Sequence, residues 1–229
     1  MKQAKGILAI ILHAHLPFVR HPEREKTLEE LWLFEAITET YLPLLSMFER
    51  LVGEQVPFKL TMSITPTLGS MLRDPLLIER YIKHLNSLIE LSEKELERTR
   101  FQSQFYPLAQ MYHELFQTSR RLFEEQYRCD LVAAFAEFQE LGVLEIIASG
   151  ATHGFLPLMD QEQAVEAQIR LGVDWYRQQF HRDPEGMWLP ECGYAPGMDR
   201  YLHKHGIKYV ILDTHGVLHS KPRPRYAVF

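Results

Sequence analysis

Residues with chemically active side chains follow four of the five short apolar runs in this 229-residue sequence. They are His13 and His15 after the first run, His153 after the third, Glu191 after the fourth, and Asp213 with His215 after the fifth. If the runs are parallel strands, their carboxyl ends meet at one edge of the sheet, where α/β folds place their sites. One polar strand end carries little information, but four at the same edge predict a functional site.

The segment GMWLPECGY, from Gly186 to Tyr194, is the most informative of these strand ends. Its apolar part stops at Pro190, because proline has no N–H to donate to a sheet, and Glu191 follows directly. The Trp188 ring offers a surface on which a sugar stacks, and the Glu191 carboxylate offers a reactive group. Taken alone, the segment fits an ordinary surface loop with an exposed acid equally well or better.

Glycoside chemistry is the first of three kinds of site compatible with these residues. Glu191 would be the nucleophile, Trp188 a stacking platform, and the histidines hydrogen-bonding partners of sugar hydroxyls. A retaining mechanism also needs a second carboxyl group about 5–5.5 Å from the first.

Two other kinds of site use the same residues differently. A metal hydrolase would take zinc ligands from a set containing His13, His15, His153 and Asp213, although the sequence has no HExxH-type pair. A non-catalytic carbohydrate-binding or scaffolding module would only line a groove with them, since a lone histidine is more often a hydrogen-bonded structural residue than a ligand.

An alternation of apolar strands and amphipathic helices is needed to position these residues, and the sequence predicts one. The predicted strands are Gly6–Leu12, Val56–Ile64, Val143–Ser149, Gly186–Leu189 and Ile207–Leu212. The first is continuously apolar, which is typical of a parallel strand buried on both faces. The alternation predicts parallel βα units with right-handed crossovers.

The helices between the strands are predicted from periodicity and capping residues. They cover Thr27–Leu51, a segment from the Asp74 cap and Pro75 to about Arg98, most of 101–141 with a break or kink at Pro107, a helix capped by Asp160, and about Pro196 to Lys204 before Gly206.

Composition narrows the class of protein. The formal charge of −5 argues against nucleic acid as a partner, because no extended basic surface offsets phosphate repulsion. The seven-residue apolar run near the start is too short to span a membrane, and it lacks a signal-peptide cleavage site. The two cysteines give neither a disulfide framework nor a CxxC metal motif. We therefore expect a cytoplasmic protein of about one domain that binds no membrane, and the oligomeric state stays open.

Four segments in a fixed order resemble glycoside hydrolase family 57, closest to its 1,4-α-glucan branching enzymes. They are LHAHLPFVRHPE at 12–23, ATHGFLPL at 151–158, GMWLPECGY at 186–194 and LDTHGV at 212–217. The resemblance covers essentially the whole sequence. It implies a parallel (β/α)7-type barrel, incomplete here with about five strands, and a retaining mechanism on α-glucan polysaccharide without metal or organic cofactor.

The resemblance also implies roles for individual residues. Glu191 falls on the family's nucleophile, and His13 and His153 fall on histidines that line the donor-sugar subsite. Trp188 lies within the nucleophile motif. The remaining strand-end residues, His15, Asp213 and His215, are expected to contribute to substrate binding.

The sequence departs from the family where the general acid/base would be. In the family this residue is an aspartate well beyond the fifth strand, and Asp213 is not assigned that role merely because it is available. Tyr226–Phe229 looks like the start of a further segment. Residues 1–229 are thus expected to be the N-terminal part of the catalytic barrel, without its last strands and helical domain, and to have little turnover alone.

Several alternatives to a branching enzyme stay open. Within the family they are an α-amylase and a 4-α-glucanotransferase, which share the motif around the nucleophile. A metal-dependent polysaccharide deacetylase has a similar barrel but would need an Asp pair after the first strand together with a His-x-x-x-His motif, and the first strand is followed by His-Ala-His without an Asp pair. A glucan-binding remnant without catalysis is the alternative from another functional class.

Overall fold

The computed structural model of the protein describes residues 8–24 and 27–221. The strands are β1 Ile11–Ala14, β2 Leu60–Ile64, β3 Leu144–Ser149, β4 Gly186–Trp188 and β5 Tyr209–Ile211. The helices are α1 Leu28–Ala36, α2 Leu42–Gly53, α3 Pro66–Leu72, α4 Pro75–Thr99, α5 Tyr106–Arg121, α6 Leu131–Glu140, α7 Glu162–Phe180, α8 Asp199–Lys204 and α9 Thr214–Leu218. Short π-helical segments are Ile37–Tyr41 and Leu122–Gln126, and 3₁₀ turns are Leu156–Leu158 and Pro190–Cys192.

The strands form one parallel sheet whose spatial order is the chain order, β1-β2-β3-β4-β5. This confirms the prediction of five parallel strands. The register pairs His13 with Ser63, and Ser149 with Trp188. The carboxyl ends of neighbouring strands therefore lie side by side, and residues that follow them are brought together.

The first strand differs from its prediction. It begins at Ile11 and includes His13, whereas the predicted segment was Gly6–Leu12, of which Gly6 and Ile7 lie outside the described residues. Leu8 is 84% exposed and Ile10 48% exposed, so the apolar run is not buried on both faces. The reason is its place in the sheet: in the described part of the chain β1 pairs with β2 alone.

Two local predictions about the helices also change. Pro107 lies in the first turn of α5, where a proline fits because the first N–H groups of a helix need no partner; it therefore starts a helix instead of kinking one. The residue before α7 is Gln161, so Asp160 is not its cap. The segment after Asp213, for which no element was predicted, forms α9. Tyr226–Phe229 lies outside the described residues.

The helix from Pro75 follows its prediction closely. The Asp74 side chain accepts hydrogen bonds from the N–H groups of Leu76 and Leu77, which satisfies two otherwise unpaired donors of the first turn. Glycine ends α8 as predicted, since Gly206 has a φ of 81°. Among the described helices, none is long and apolar enough to cross a bilayer.

The chain divides into two compact units. The first unit contains the sheet and consists, among the described residues, of 8–15, 59–68 and 144–221. Its core includes β3 and α7: Ile147, Ile169 and Val173 are fully buried, and the Tyr176 hydroxyl donates to the Ile146 carbonyl at 2.9 Å.

The second unit is mainly helical and consists of 16–24, 27–58 and 69–143. Aromatic rings fill its core: Tyr81 and Phe123 meet edge to face with ring centres 4.8 Å apart, and the Tyr81 and Thr38 hydroxyls are 3.0 Å apart. Glu30 and Arg80 form a largely buried ion pair at 2.5 Å.

Candidate functional site

Three histidines at or just after the carboxyl ends of strands lie in contact within the first unit. His13 is on β1, His15 follows that strand by one residue, and His153 is in the loop after β3. The His15 and His153 rings stack with centres 3.7 Å apart, and the His13 ring lies 5.0 Å from His153 and 5.8 Å from His15. The structure thus brings together side chains that are far apart in the sequence.

A hydroxyl group lies behind each histidine and holds its Nδ1 atom. Ser63 Oγ is 2.5 Å from His13 Nδ1, and Thr65 Oγ1 is 3.2 Å from His15 Nδ1. Ser149 Oγ is 3.3 Å from His153 Nδ1. These bonds fix the orientation of each ring and leave its Nε2 atom for other partners.

Burial keeps these imidazoles uncharged at neutral pH. It is the largest cause that lowers the pKa of His13 to about 4, and proximity to His15 adds to it. Burial, followed by proximity to His15 and His13, lowers the pKa of His153 to about 3. Burial also lowers the pKa of His15, although the negative charge of Glu191 opposes this. The cluster therefore offers neutral hydrogen-bonding groups at pH 7.

Trp188 joins the cluster from the end of β4. Its ring stacks on His13 with centres 4.2 Å apart and planes within 10°. Its indole Nε1 is buried and has no hydrogen-bond partner among the described residues. A buried N–H without a partner is costly in a folded protein.

Glu191 lies in the 3₁₀ turn that follows Pro190. Its Oε1 atom is 3.8 Å from His153 Nε2, which is beyond hydrogen-bond length. The Glu191 side chain is 76% exposed, whereas that of His153 is 4% exposed. The carboxylate is thus accessible to a ligand while the imidazole beside it is enclosed by protein.

The backbone around this carboxylate is unusual. Glu191 and Cys192 have φ values of 52° and 54°, and His153 has 57°. Residues other than glycine rarely adopt this left-handed backbone conformation, which costs about 1–3 kcal/mol per residue. All three residues lie at the candidate site, where the turn after Pro190 aims the Glu191 side chain.

Gly193 and Phe155 connect the same two loops. A Cβ atom at Gly193 would lie 2.4 Å from Phe155 Cε2, so the ring rests directly against the glycine backbone. Phe155 is 41% exposed and is two residues from His153. It adds a partly exposed aromatic face to the loop that carries His153.

Asp213 and His215 lie outside the histidine cluster. Asp213 precedes α9, its side chain does not cap that helix, and both residues are exposed. The Asp213 charge contributes, after burial, to the raised pKa of the Cys192 thiol. Within the described chain, no hydrogen bond, ion pair or ring contact joins either side chain to the histidines.

The histidines are not arranged as metal ligands. The lone pair of a ring nitrogen lies in the ring plane, so the stacked His15 and His153 rings direct their nitrogens side by side and not toward one point. No group of three or more His, Cys, Asp or Glu side chains within residues 8–24 and 27–221 is arranged to hold a metal ion.

Sequence reasoning missed the hydroxyl residues, although a signal for them exists. Ser63 and Thr65 are two residues apart at the end of β2, as His13 and His15 are at the end of β1, and the register pairs His13 with Ser63. Two neighbouring strand ends with the same spacing of polar residues predict paired side chains. Phe155 gave no such signal, because it packs against Gly193, which is 38 positions away in the sequence and is brought beside it only by the fold.

The comparisons with known proteins agree on one family. The family model described as glycosyl hydrolase family 57 matches residues 9–229. A 1,4-alpha-glucan branching enzyme of Thermococcus kodakarensis is 32% identical over 227 residues, which cover 92% of this chain and 33% of that enzyme.

Two solved structures match the fold closely. The alpha-amylase AmyC from Thermotoga maritima has a TM-score of 0.90 and 44% identity, covering 95% of this chain and 42% of that one. A GH57-type branching enzyme from Pyrococcus horikoshii has a TM-score of 0.88 and 32% identity, covering 96% and 44%. The incomplete (β/α)7-type barrel predicted from the sequence is thereby confirmed, and the chain spans less than half the length of these relatives.

Proposed function

Because the chain belongs to glycosyl hydrolase family 57, we propose that it carries the nucleophile part of an α-glucan-acting site, with Glu191 as the nucleophile. The observation that supports this most directly is the exposed Glu191 carboxylate 3.8 Å from a buried, neutral His153, at the edge of a cluster completed by His13, His15 and Trp188. Such a cluster combines a reactive carboxylate, hydrogen-bonding groups and an aromatic face, which are the groups that a sugar ring needs.

The proposed reaction has two steps. In the first, a Glu191 oxygen bonds to the anomeric carbon of a glucan, the bond from that carbon to the departing glycosidic oxygen breaks, and an acid protonates the departing oxygen. In the second, an acceptor hydroxyl attacks the same carbon, loses its proton to the conjugate base, and releases Glu191. Configuration at the anomeric carbon is retained because it is inverted twice.

The other cluster residues have binding roles in this proposal. His13 and His153, uncharged at neutral pH, exchange hydrogen bonds with sugar hydroxyls and do not supply protons. Trp188 presents its indole N–H to a sugar oxygen. His15, Asp213 and His215 extend the binding surface beyond the reacting sugar.

For the acceptor we propose a glucan 6-hydroxyl, which makes the reaction branching. The support is the similarity over nearly the whole chain to enzymes named as 1,4-alpha-glucan branching enzymes. Hydrolysis, with water as the acceptor, is the second candidate, and the higher identity to the Thermotoga maritima alpha-amylase favours it. Both share the first step on Glu191.

Covalent trapping tests the proposed nucleophile. A 5-fluoro-α-glucosyl fluoride has a leaving group that needs no protonation, so the first step does not depend on the general acid. The full chain should gain the mass of one fluoroglucosyl group, and peptide sequencing should place it on Glu191. The control is Glu191→Gln, whose folding is checked by circular dichroism. A chain that binds maltotriose but gives no adduct would be a glucan-binding module and would overturn the proposal.

The choice of acceptor is tested with α-maltotriosyl fluoride and a long amylose. Branching predicts new α-1,6 linkages in the proton NMR spectrum of the glucan, whereas hydrolysis predicts free maltotriose. On unactivated amylose we expect little turnover by the chain alone. None of the residues predicted for the site has the role of general acid, a group that contributes typically ~10²–10⁴-fold.

A further inference from the structure

Ser149 occupies a fully buried position between two residues of the candidate site. It ends β3, where the sheet register pairs it with Trp188 of β4. Its Oγ atom is 3.0 Å from the Trp188 carbonyl oxygen and 3.3 Å from His153 Nδ1. One hydroxyl thus contacts both the strand that leads to Glu191 and the ring that faces Glu191.

The protons of this arrangement can be counted. A serine hydroxyl carries one proton, and a carbonyl oxygen can only accept, so the Ser149 proton is donated to the Trp188 carbonyl. Toward His153 the same oxygen is therefore an acceptor, and the hydrogen bond at Nδ1 requires that Nδ1 carries a proton.

A neutral imidazole has a single ring proton, and burial keeps His153 neutral by lowering its pKa to about 3. With the proton on Nδ1, the Nε2 atom is a bare acceptor. This Nε2 is buried, has no hydrogen-bond partner among the described residues, and lies 3.8 Å from Glu191 Oε1, which is also an acceptor. Two acceptors that face each other do not bond to each other, so each of them can accept a hydrogen bond from a donor group.

We propose that Ser149 is a positioning residue that holds His153 with its proton on Nδ1, so that Nε2 receives a hydrogen bond from a donor hydroxyl placed beside Glu191. That the donor is a sugar hydroxyl rests on the proposed function; the assignment of the proton does not. The arrangement also keeps Glu191 free. A proton on Nε2 would draw the exposed Glu191 side chain from 3.8 Å to hydrogen-bond distance and would occupy a lone pair that the nucleophile needs.

Nitrogen-15 NMR of the full chain, labelled at histidine, tests the proton assignment. Long-range proton–nitrogen spectra at neutral pH distinguish a protonated ring nitrogen from a bare one, and His153→Gln identifies the His153 signals. The wild-type chain should show Nδ1 protonated and Nε2 bare. In Ser149→Ala the acceptor at Nδ1 is gone, and the proton should move substantially to Nε2, where Glu191 accepts it. Wild-type His153 with a protonated Nε2 would overturn the inference.

Two further measurements separate the positioning role from a merely structural one. Ser119→Ala removes another buried serine hydroxyl, on α5, and should leave the His153 signals unchanged. Trapping by 5-fluoro-α-glucosyl fluoride should be about tenfold slower in Ser149→Ala, the loss expected for one hydrogen bond of ~1.4 kcal/mol. An equal trapping rate in Ser149→Ala and wild type would contradict the positioning role.

The two proposals fail in different ways. An adduct on Glu191 together with a wild-type Nε2 proton would leave the proposed function standing and remove the role of Ser149. No adduct, together with a wild-type Nδ1 proton that moves in Ser149→Ala, would overturn the function and support the proton assignment.

Discussion

At the scale of single residues, the candidate site concentrates strained backbone. His153, Glu191 and Cys192 are three of the seven described residues other than glycine with a φ between 50° and 59°; the other four are Gln55, Arg128, Cys129 and His181. The neighbouring contacts hold this conformation: Pro190 fixes the entry to the turn, and Phe155 packs against Gly193 at its exit. The strain is consistent with a turn whose purpose is to direct one carboxylate.

Replacement of Cys192 should depend on backbone preference more than on side-chain size. Cys192→Val should lower the free energy of unfolding by about 1–2 kcal/mol, because a β-branched side chain tolerates φ near 55° poorly, whereas Cys192→Asn should cost much less. Urea unfolding of both variants measures the difference. Equal losses in the two variants would show that the turn relaxes at no cost.

The buried histidines predict a dependence of stability on pH. His153 has a pKa of about 3 in the folded chain, and a histidine in an unfolded chain has one of about 6.5. Below pH of about 6.5 the unfolded state therefore binds more protons, so stability falls as pH is lowered and the contribution of His153 is lost progressively toward its folded pKa.

The measurement is a series of urea unfolding curves between pH values of about 7 and 5, above the range in which most carboxylates titrate. The wild-type midpoint should fall across this window, and His153→Gln, which cannot be protonated, should show a shallower fall. A midpoint that is constant in the wild type would contradict the buried, neutral state.

At the scale of elements, the contact of α7 with β3 supports the site from behind. Gly172 on α7 lies against the Ser149 backbone so closely that a Cβ atom would be 2.0 Å from the Ser149 carbonyl oxygen. No side chain can turn away to make room, because the opposing atom belongs to the backbone of a strand. The helix can approach β3 this closely only with glycine at that position.

Gly172→Ala should therefore push α7 away from β3 and lower the free energy of unfolding by about 1–3 kcal/mol, the typical cost of overpacking. Gly53→Ala is the matched control, since Gly53 ends α2 and a Cβ atom there meets nothing within 4 Å. Thermal unfolding of both variants provides the comparison. A Gly172→Ala chain as stable as the control would show that α7 shifts freely.

Most of the fold was predictable at this scale because its elements are encoded locally. The Asp74–Pro75 start of α4 and the Gly206 end of α8 follow from capping preferences that act within a few residues. The predicted extent of β1 was wrong. The exposure of Leu8 and Ile10 depends on how many strands flank β1, and the sequence of β1 itself carries no information on that number.

The candidate site was predictable to a different degree. His13, His15, His153 and Glu191 were predicted to lie close together because each follows an apolar run of the sequence, and the parallel order brings the strand ends together. The Ser149 hydroxyl was missed because it contacts two partners that lie 4 and 39 positions away in the sequence. Only three-dimensional distances show that relation.

At the scale of the whole molecule, buried and exposed ion pairs have different roles. Glu30 and Arg80 are 2% and 15% exposed, and Arg80 also donates to the carbonyls of His21 and Arg24. This pair ties the segment before α1 to α4 within the second unit. Glu95 and Arg98 form a pair on the exposed side of α4, where water competes with the interaction.

Glu30→Gln should be much more damaging than Glu95→Gln. The first leaves Arg80 largely buried without its counter-charge and should cost about 3 kcal/mol or more, whereas the second should cost less than about 1 kcal/mol. Chemical unfolding of both single variants measures this contrast. Similar losses would mean that Arg80 finds compensation in the carbonyls it already contacts.

The chain order of the sheet has a consequence for how the molecule is made. A ribosome delivers the strands in the order β1 to β5, which is also their order in space. Each new strand can therefore add to the open edge of the strand before it, and none has to enter between two strands already paired. The pairing of β2 with β3 joins residues as far apart in the sequence as Leu60 and Leu144, whereas the pairing of β4 with β5 joins residues as close as Gly186 and Tyr209. Because contacts between distant residues form more slowly than local ones, we expect β3 to pair slowly with β2 and β5 to pair quickly with β4. The carboxylate of Glu191 thus joins histidines that left the ribosome before it, and the candidate site is complete only once β4 and the turn after it have been made.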